Sequence, residues 1–149
     1  MTAEDAGDFQ LLHVEDNELD AMALRRSFKK LGITLPLAWA KDGVEALEKL
    51  QSISRQQNPS SAQTVILLDI NMPRMNGHEF LEALRADPNL SYTPVFILTT
   101  SEQPTDIRKA YDQHVAGYIV KPVGSGTLVD RIKHWSEFLS IIELPKPAH

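Results

Sequence analysis

Short apolar runs alternate with stretches of helical spacing along this chain. Phe9-Gln10-Leu11-Leu12-His13-Val14 precedes a helix predicted from about Glu18 to Leu31, capped by Asn17, closed by Gly32, and carrying Leu19, Met22, Ala23 and Phe28 as its core stripe. Leu37-Ala38-Trp39-Ala40 predicts a second strand, and Asp42-Gly43 leads into a helix with Val44, Leu47 and Leu50 inward. The Ser- and Gln-rich stretch from Ser52 to Gln63 predicts a surface loop. Thr64-Val65-Ile66-Leu67-Leu68 is the strongest strand, followed by a turn-rich segment and a helix with Phe80, Leu81 and Leu84 that stops at Asp87-Pro88. Val95 to Leu98 and Gly117 to Val120 predict two more strands, separated by a helix from about Thr105 to Gln113. The last helix, about Gly126 to Ile142, aligns Leu128, Ile132, Trp135, Leu139 and Ile142 on one face.

Nearly unbroken apolar runs suit strands of a parallel sheet covered on both faces. Five strand-then-helix units predict a doubly wound α/β domain, because right-handed crossovers place helices on each side. Five strands favour the flavodoxin-like order 2-1-3-4-5 over a longer dinucleotide-binding sheet. In that order the first and third strands are neighbours about 4.8 Å apart. Their carboxyl ends mark the point where the winding reverses and where such sheets bind ligands.

Polar residues stand at those ends: Glu15 and Asp16, Asp69, Thr99 and Thr100, and Lys121 before Pro122. Three converging carboxylates repel one another unless a cation lies between them, and hard divalent ions suit oxygen ligands. Acids, hydroxyl and ammonium together suit a phosphoryl group held by a metal and a lysine. Asp69 is itself a candidate nucleophile, able to form an aspartyl phosphate while Mg²⁺ and Lys121 neutralise the oxygens. Singly, each residue also has an ordinary reading as a helix cap, a turn hydroxyl or a solvated charge. The set as a whole argues against those.

At 149 residues the chain suits one domain. A net charge of -5 with no basic patch argues against nucleic acid as a partner. Absent cysteine excludes disulfides and thiol nucleophiles. No apolar stretch approaches a membrane span, and the acidic start Met1-Thr2-Ala3-Glu4-Asp5 is unlike a signal segment, so the expectation is a soluble, cytoplasmic protein with no membrane partner. The five histidines are scattered with no i, i+4 pair, which disfavours zinc; His13 is expected to be a satisfied core residue, and Trp39 and Trp135 to pack.

The motifs Val14-Glu15-Asp16-Asn17, Leu68-Asp69-Ile70-Asn71-Met72-Pro73 with Asn76-Gly77, Leu98-Thr99-Thr100-Ser101, and Gly117-Tyr118-Ile119-Val120-Lys121-Pro122 resemble, in order and spacing, the receiver domain of two-component response regulators. The resemblance covers about Phe9 to Leu144 and implies the CheY-like fold, a core of about 9–142 and a tail of 143–149, with no output domain. It implies that Asp69 accepts phosphate from a histidine of a sensor kinase or of a phosphotransfer protein, that Glu15, Asp16, Asp69 and the Asn71 backbone carbonyl hold Mg²⁺, and that Thr99 and Lys121 read the phosphoryl group. It further implies that Thr99 and Tyr118 switch a face formed by helix 4, strand 5 and helix 5, and that Lys121-Pro122 is cis. Thr100 stands where the family usually has a small residue, which bears on access to the phosphate. Turnover is expected only of the protein's own phosphorylation and dephosphorylation.

A narrower resemblance, through Leu98 to Ser101, Tyr111-Asp112-Gln113-His114-Val115 and Glu143-Leu144-Pro145, is to single-domain regulators paired with bacterial and cyanobacterial phytochromes. It implies a light-sensing histidine kinase as partner. A surplus apolar set on the last helix, Val129, Phe138 and Ile141, predicts a homodimer through that helix, the tail to Leu144 and the face of helix 4 and strand 5. The enzyme alternative is a phosphatase of the haloacid dehalogenase type, but the second acid it needs two residues after the nucleophile is here Asn71. A flavodoxin-like cofactor binder lacks a Gly-rich phosphate loop after the first strand.

Overall fold

The computed structural model describes residues 9–56, 63–122 and 125–144. Ten elements alternate: β1 (Phe9–Val14), α1 (Glu18–Leu31), β2 (Leu37–Ala40), α2 (Gly43–Gln56), β3 (Gln63–Leu68), α3 (Gly77–Ala86), β4 (Val95–Thr99), α4 (Pro104–Asp112), β5 (Gly117–Val120) and α5 (Ser125–Leu139). The strands form one parallel sheet of order β2-β1-β3-β4-β5, the doubly wound flavodoxin-like arrangement expected from the pattern.

Alternate residues of the apolar strands serve two different cores. Val14, Ile66, Leu68, Val95 and Ile97 pack with Ala46 and Leu50 of α2, Phe80, Leu81 and Leu84 of α3, and Ala110 of α4. Leu11, Val65, Leu67, Phe96 and Leu98 pack on the other face with Leu24 and Phe28 of α1 and Ile132, Trp135 and Leu139 of α5. Pleating sends successive side chains to opposite faces, and both faces are covered, so the buried strand positions are apolar apart from His13 and Thr99.

Helix α1 faces the sheet in a different phase from the one its apolar residues suggest. Ala21, Leu24, Ser27 and Phe28 are buried, whereas Leu19 is 73% and Met22 39% exposed. Small Ala21 allows close approach to the sheet, and Ser27 is accommodated by donating to the Ala23 carbonyl at 2.9 Å. The caps agree with expectation: Asn17 accepts from the Asp20 N–H, and Gly32 closes the helix at φ 71°.

Two boundaries differ as well. Helix α2 continues to Gln56, so Ser52 to Gln56 are helical rather than loop; neither Gly nor Pro interrupts them, and Ile53 extends the stripe of Leu47 and Leu50. Gln63, expected to end that loop, opens β3, and residues 57–62 lie outside the described residues, as does the tail beyond Leu144. Helix α5 ends at Leu139, yet Ile142 and Leu144 still pack on the core it shares with α1. No cis peptide occurs among the described residues, so Lys121-Pro122 is trans, the intrinsically favoured isomer.

Candidate functional site

Register brings the acids together. Val14 of β1 lies opposite Leu68 of β3, so Glu15 and Asp69 emerge side by side, and the Asp69 N–H donates to the Val14 carbonyl at 3.0 Å. On the other side Thr99 pairs with Val120, and the Lys121 N–H donates to the Thr99 carbonyl at 2.6 Å. Carboxylate oxygens of Glu15, Asp16 and Asp69 all lie within 4.8 Å of one another. Glu15 and Asp69 are buried, at 1% and 7% exposure, while Asp16 faces solvent.

Glu15 and Asp69 are fixed locally. Glu15 donates its N–H to the Ala40 carbonyl at 2.9 Å and accepts the Trp39 indole N–H on its own carbonyl at 2.7 Å. Its Oε2 accepts from the Asn17 N–H at 3.2 Å. Asp69 Oδ1 accepts from the Ile70 N–H at 2.8 Å. The turn after β3 closes through Gly77, whose N–H donates to the Ile70 carbonyl at 2.8 Å; a Cβ there would lie 2.5 Å from the Asp69 carbonyl oxygen, so only glycine permits the approach. Asn71 is exposed in that turn, two residues past Asp69. The turn is anchored from its far side by Arg74, which donates to Asp42.

Lys121 bridges Glu15 Oε1 at 2.5 Å and Asp20 Oδ2 at 3.2 Å. Burial disfavours its charge, but Glu15, Asp69 and Asp20 outweigh that and raise its pKa. Burial, reinforced by Asp69, pushes Glu15 up to about 7 against the pull of Lys121. The site therefore holds more negative charge than one ammonium comfortably balances. Hard oxygen donors at this spacing fit a divalent cation, and such an ion would relieve the repulsion that lifts Glu15.

Thr99 is fully buried, its Oγ1 accepting from the Ser101 N–H at 3.4 Å, and Thr100 is exposed at the rim. Tyr118 packs against the core shared by α2, α3 and α4 and donates its hydroxyl to the Ser101 carbonyl at 2.9 Å. The acids and Lys121 thus meet at the carboxyl ends of the strands, with Thr99 at the end of the strand that pairs with β5. Sequence reasoning missed Asp20, although it lies one helical turn beyond Asp16, and Trp39, whose contact with Glu15 follows from sheet register and leaves no local signal. His13 is buried as expected, but its Nε2 has no hydrogen-bond partner among the described residues, and burial lowers its pKa to about 3.

A doubly wound sheet with three carboxylates and a lysine at its switch point is an arrangement that suits a metal ion and a phosphoryl group. The chain belongs to the response regulator receiver domain family, whose model matches residues 11–133. It is 36% identical over 149 residues to the "Probable methanogenesis regulatory protein FilR2" of Methanothrix harundinacea, covering 99% of this chain and 94% of that one. It is 32% identical over 136 residues to the response regulator Rcp1 of Synechocystis, covering 91% and 92%. The crystal structure of the Mn²⁺-bound form of Rcp1 superposes with a TM-score of 0.76, covering 93% of this chain and 99% of that one at 31% identity. The phosphorylated cyanobacterial phytochrome response regulator RcpA does so with a TM-score of 0.77, covering 92% and 98% at 33% identity. These matches give the haloacid dehalogenase alternative no support. No described helix is long and apolar enough to cross a membrane.

Proposed function

We propose that Asp69 is the phosphoacceptor of a Mg²⁺-dependent receiver unit, with residues of about 9–142 as its core, working in the cytoplasm. The observation that carries this is the gathering of Glu15, Asp16 and Asp69 oxygens within 4.8 Å, beside a lysine bonded to Glu15. Ile70 occupies Asp69 Oδ1, which leaves Oδ2 to attack phosphorus. As the new O–P bond forms, the N–P bond of a donor phosphohistidine breaks and the imidazole departs. Glu15, Asp16, Asp69 and the Asn71 carbonyl would hold the metal, which supplies charge neutralisation at the phosphoryl oxygens. Lys121 exchanges its carboxylate partners for a phosphoryl oxygen, and Thr99 donates its hydroxyl to another.

That last bond is charge-assisted and worth on the order of 1.5–3 kcal/mol. It draws Thr99 away from Ser101 and lets Tyr118 repack the face of α4, β5 and α5, a two-state element biased by the site. The description of RcpA as a cyanobacterial phytochrome response regulator favours a phytochrome-type histidine kinase as donor. Acetyl phosphate with Mg²⁺ should add one phosphoryl group by intact mass, and Asp69→Asn should add none. A native chain that stays unmodified would refute the assignment.

We also infer a homodimer through α5. Phe138 is 45% and Ile141 81% exposed, although Phe138 spends one edge on Phe96 with ring centroids 6.5 Å apart. Sedimentation of Phe138→Ala should give a smaller mass than the native chain; equal masses would exclude this face.

A further inference from the structure

Among the described residues Lys121 has two carboxylate partners, and only one of them belongs to the acid cluster. Its Nζ donates to Glu15 Oε1 at 2.5 Å and to Asp20 Oδ2 at 3.2 Å. Glu15 is in the group whose oxygens lie within 4.8 Å of one another, and Asp20 is not. Asp20 sits in the first turn of α1, where its N–H donates to Asn17 Oδ1 at 3.1 Å. The Asn17 N–H in turn donates to Glu15 Oε2 at 3.2 Å. These backbone bonds set Asp20 at a fixed offset from Glu15, and Lys121 closes the ring between them.

The two partners differ in what a cation does to them. Glu15 Oε2 is engaged by the backbone, and Oε1 is the oxygen that Lys121 holds. A divalent ion and an ammonium on one carboxylate are like charges at close range, and they repel. The ammonium is the one able to give way, because it rides on a flexible four-carbon stem while the Lys121 N–H stays bonded to the Thr99 carbonyl at 2.6 Å. Leaving Glu15 with no other partner would strand a charge whose side chain is only 12% exposed. Burial opposes the Lys121 charge while Glu15, Asp69 and Asp20 favour it; of those three, Asp20 alone stands outside the cluster that an ion would neutralise.

We propose that Asp20 is a positioning residue for the receiver reaction: it receives the Lys121 ammonium when a divalent ion claims Glu15, and thereby strengthens binding of that ion by the acid cluster. This rests on the reading of Glu15, Asp16 and Asp69 as the metal site of a receiver. Without Asp20 the lysine has only Glu15 to pair with and competes with the ion for it.

Calorimetric titration of the full chain with Mg²⁺ alone tests this. Asp20→Asn should bind the ion about threefold more weakly, the factor suited to a partly exposed ion pair, and Asp20→Glu should restore most of the native affinity. Glu18→Gln removes a negative charge from the same turn but no partner of Lys121, and should leave the affinity near native. In a Lys121→Met background, which keeps the stem and loses the charge, Asp20→Asn should change nothing, because its effect runs through the lysine. The proposal is overturned if Asp20→Asn binds Mg²⁺ as the native chain does, or if Glu18→Gln weakens binding as much, which would mark a general field effect. It is equally overturned if the loss persists in the Lys121→Met background, which would make Asp20 act on the ion directly. Should Lys121→Met not fold, the comparison of Asp20→Asn with Glu18→Gln decides alone. A native chain that binds no Mg²⁺ and takes no phosphoryl group removes the receiver reading and this role together. A native chain that is phosphorylated, with Asp20→Asn titrating normally, removes the role of Asp20 only.

Discussion

The two ends of the sheet handle polar groups in opposite ways. At the amino ends of β4 and β5, one guanidinium serves four backbone carbonyls: Arg85 donates to Ser91 at 2.9 Å, Thr93 at 2.8 Å, Gln113 at 2.8 Å and His114 at 3.1 Å. At the carboxyl ends, three acids crowd one ammonium, and Glu15 is lifted to about 7. Donors and acceptors match at the first end, and the result is a brace. At the second they are mismatched, and the mismatch is what a cation and a phosphoryl group can relieve. Even backbone strain is treated alike at both: His114 at φ 60° gives its carbonyl to Arg85, while Arg74 at φ 64° is paid for by its pairing with Asp42.

The brace should be the more costly to break. Arg85→Ala leaves several carbonyls partnerless and is expected to lower unfolding free energy by about 3 kcal/mol in a urea titration, with phosphorylation by the folded fraction retained. Lysine at this position should rescue little, because a point charge cannot reproduce the fork. A loss below about 1 kcal/mol would deny Arg85 its bracing role.

Acidity dependence should belong to the carboxyl end. Glu15, raised from 4.5 to about 7, binds its proton more tightly when folded, so its contribution to stability is complete below 4.5 and disappears as pH climbs through 7. His13, lowered from 6.5 to about 3, contributes above 6.5 and loses that contribution as pH falls through 3. Between 4.5 and 6.5 the two slopes oppose, and the metal-free native chain should show a nearly flat profile. His13→Phe unmasks the Glu15 slope, with stability falling as pH rises, and saturating Mg²⁺ abolishes that fall by keeping the carboxylate ionised in the folded state. Denaturation midpoints across this range, with and without Mg²⁺, decide it; a His13→Phe profile that rises with pH contradicts the assignment.

The smallest effect is expected at Trp39. Replacing it with phenylalanine removes the 2.7 Å bond to the Glu15 carbonyl but keeps an aromatic ring, so stability should drop by only about 1 kcal/mol. Calorimetry should find Mg²⁺ bound about fivefold more weakly, because the ligand's backbone is less well held. Unchanged affinity would confine Trp39 to packing.

Sequence pattern carries most of the carboxyl end and little of the brace. Each of Glu15, Asp69, Thr99 and Lys121 directly ends or follows an apolar run, so a local signal and the strand order suffice to bring them together. Asp20 and Trp39 act through partners on other elements, and no spacing announces them. Helix α1 offers two apolar stripes, one through Leu19 and Met22 and one through Ala21, Leu24 and Phe28; only docking against the sheet beside α5 chooses between them. Arg85 looks like an ordinary last-turn cation until the loops around it are in place.

Trp39 also gives the molecule a built-in optical probe. Its indole is wired to the backbone of Glu15, whereas the chain's other tryptophan, Trp135, is sealed against Phe96 with ring centroids 5.5 Å apart on the far core. Emission from the first should respond to ion loading at the acids while the second supplies a steady background, so occupancy can be followed on the unlabelled protein.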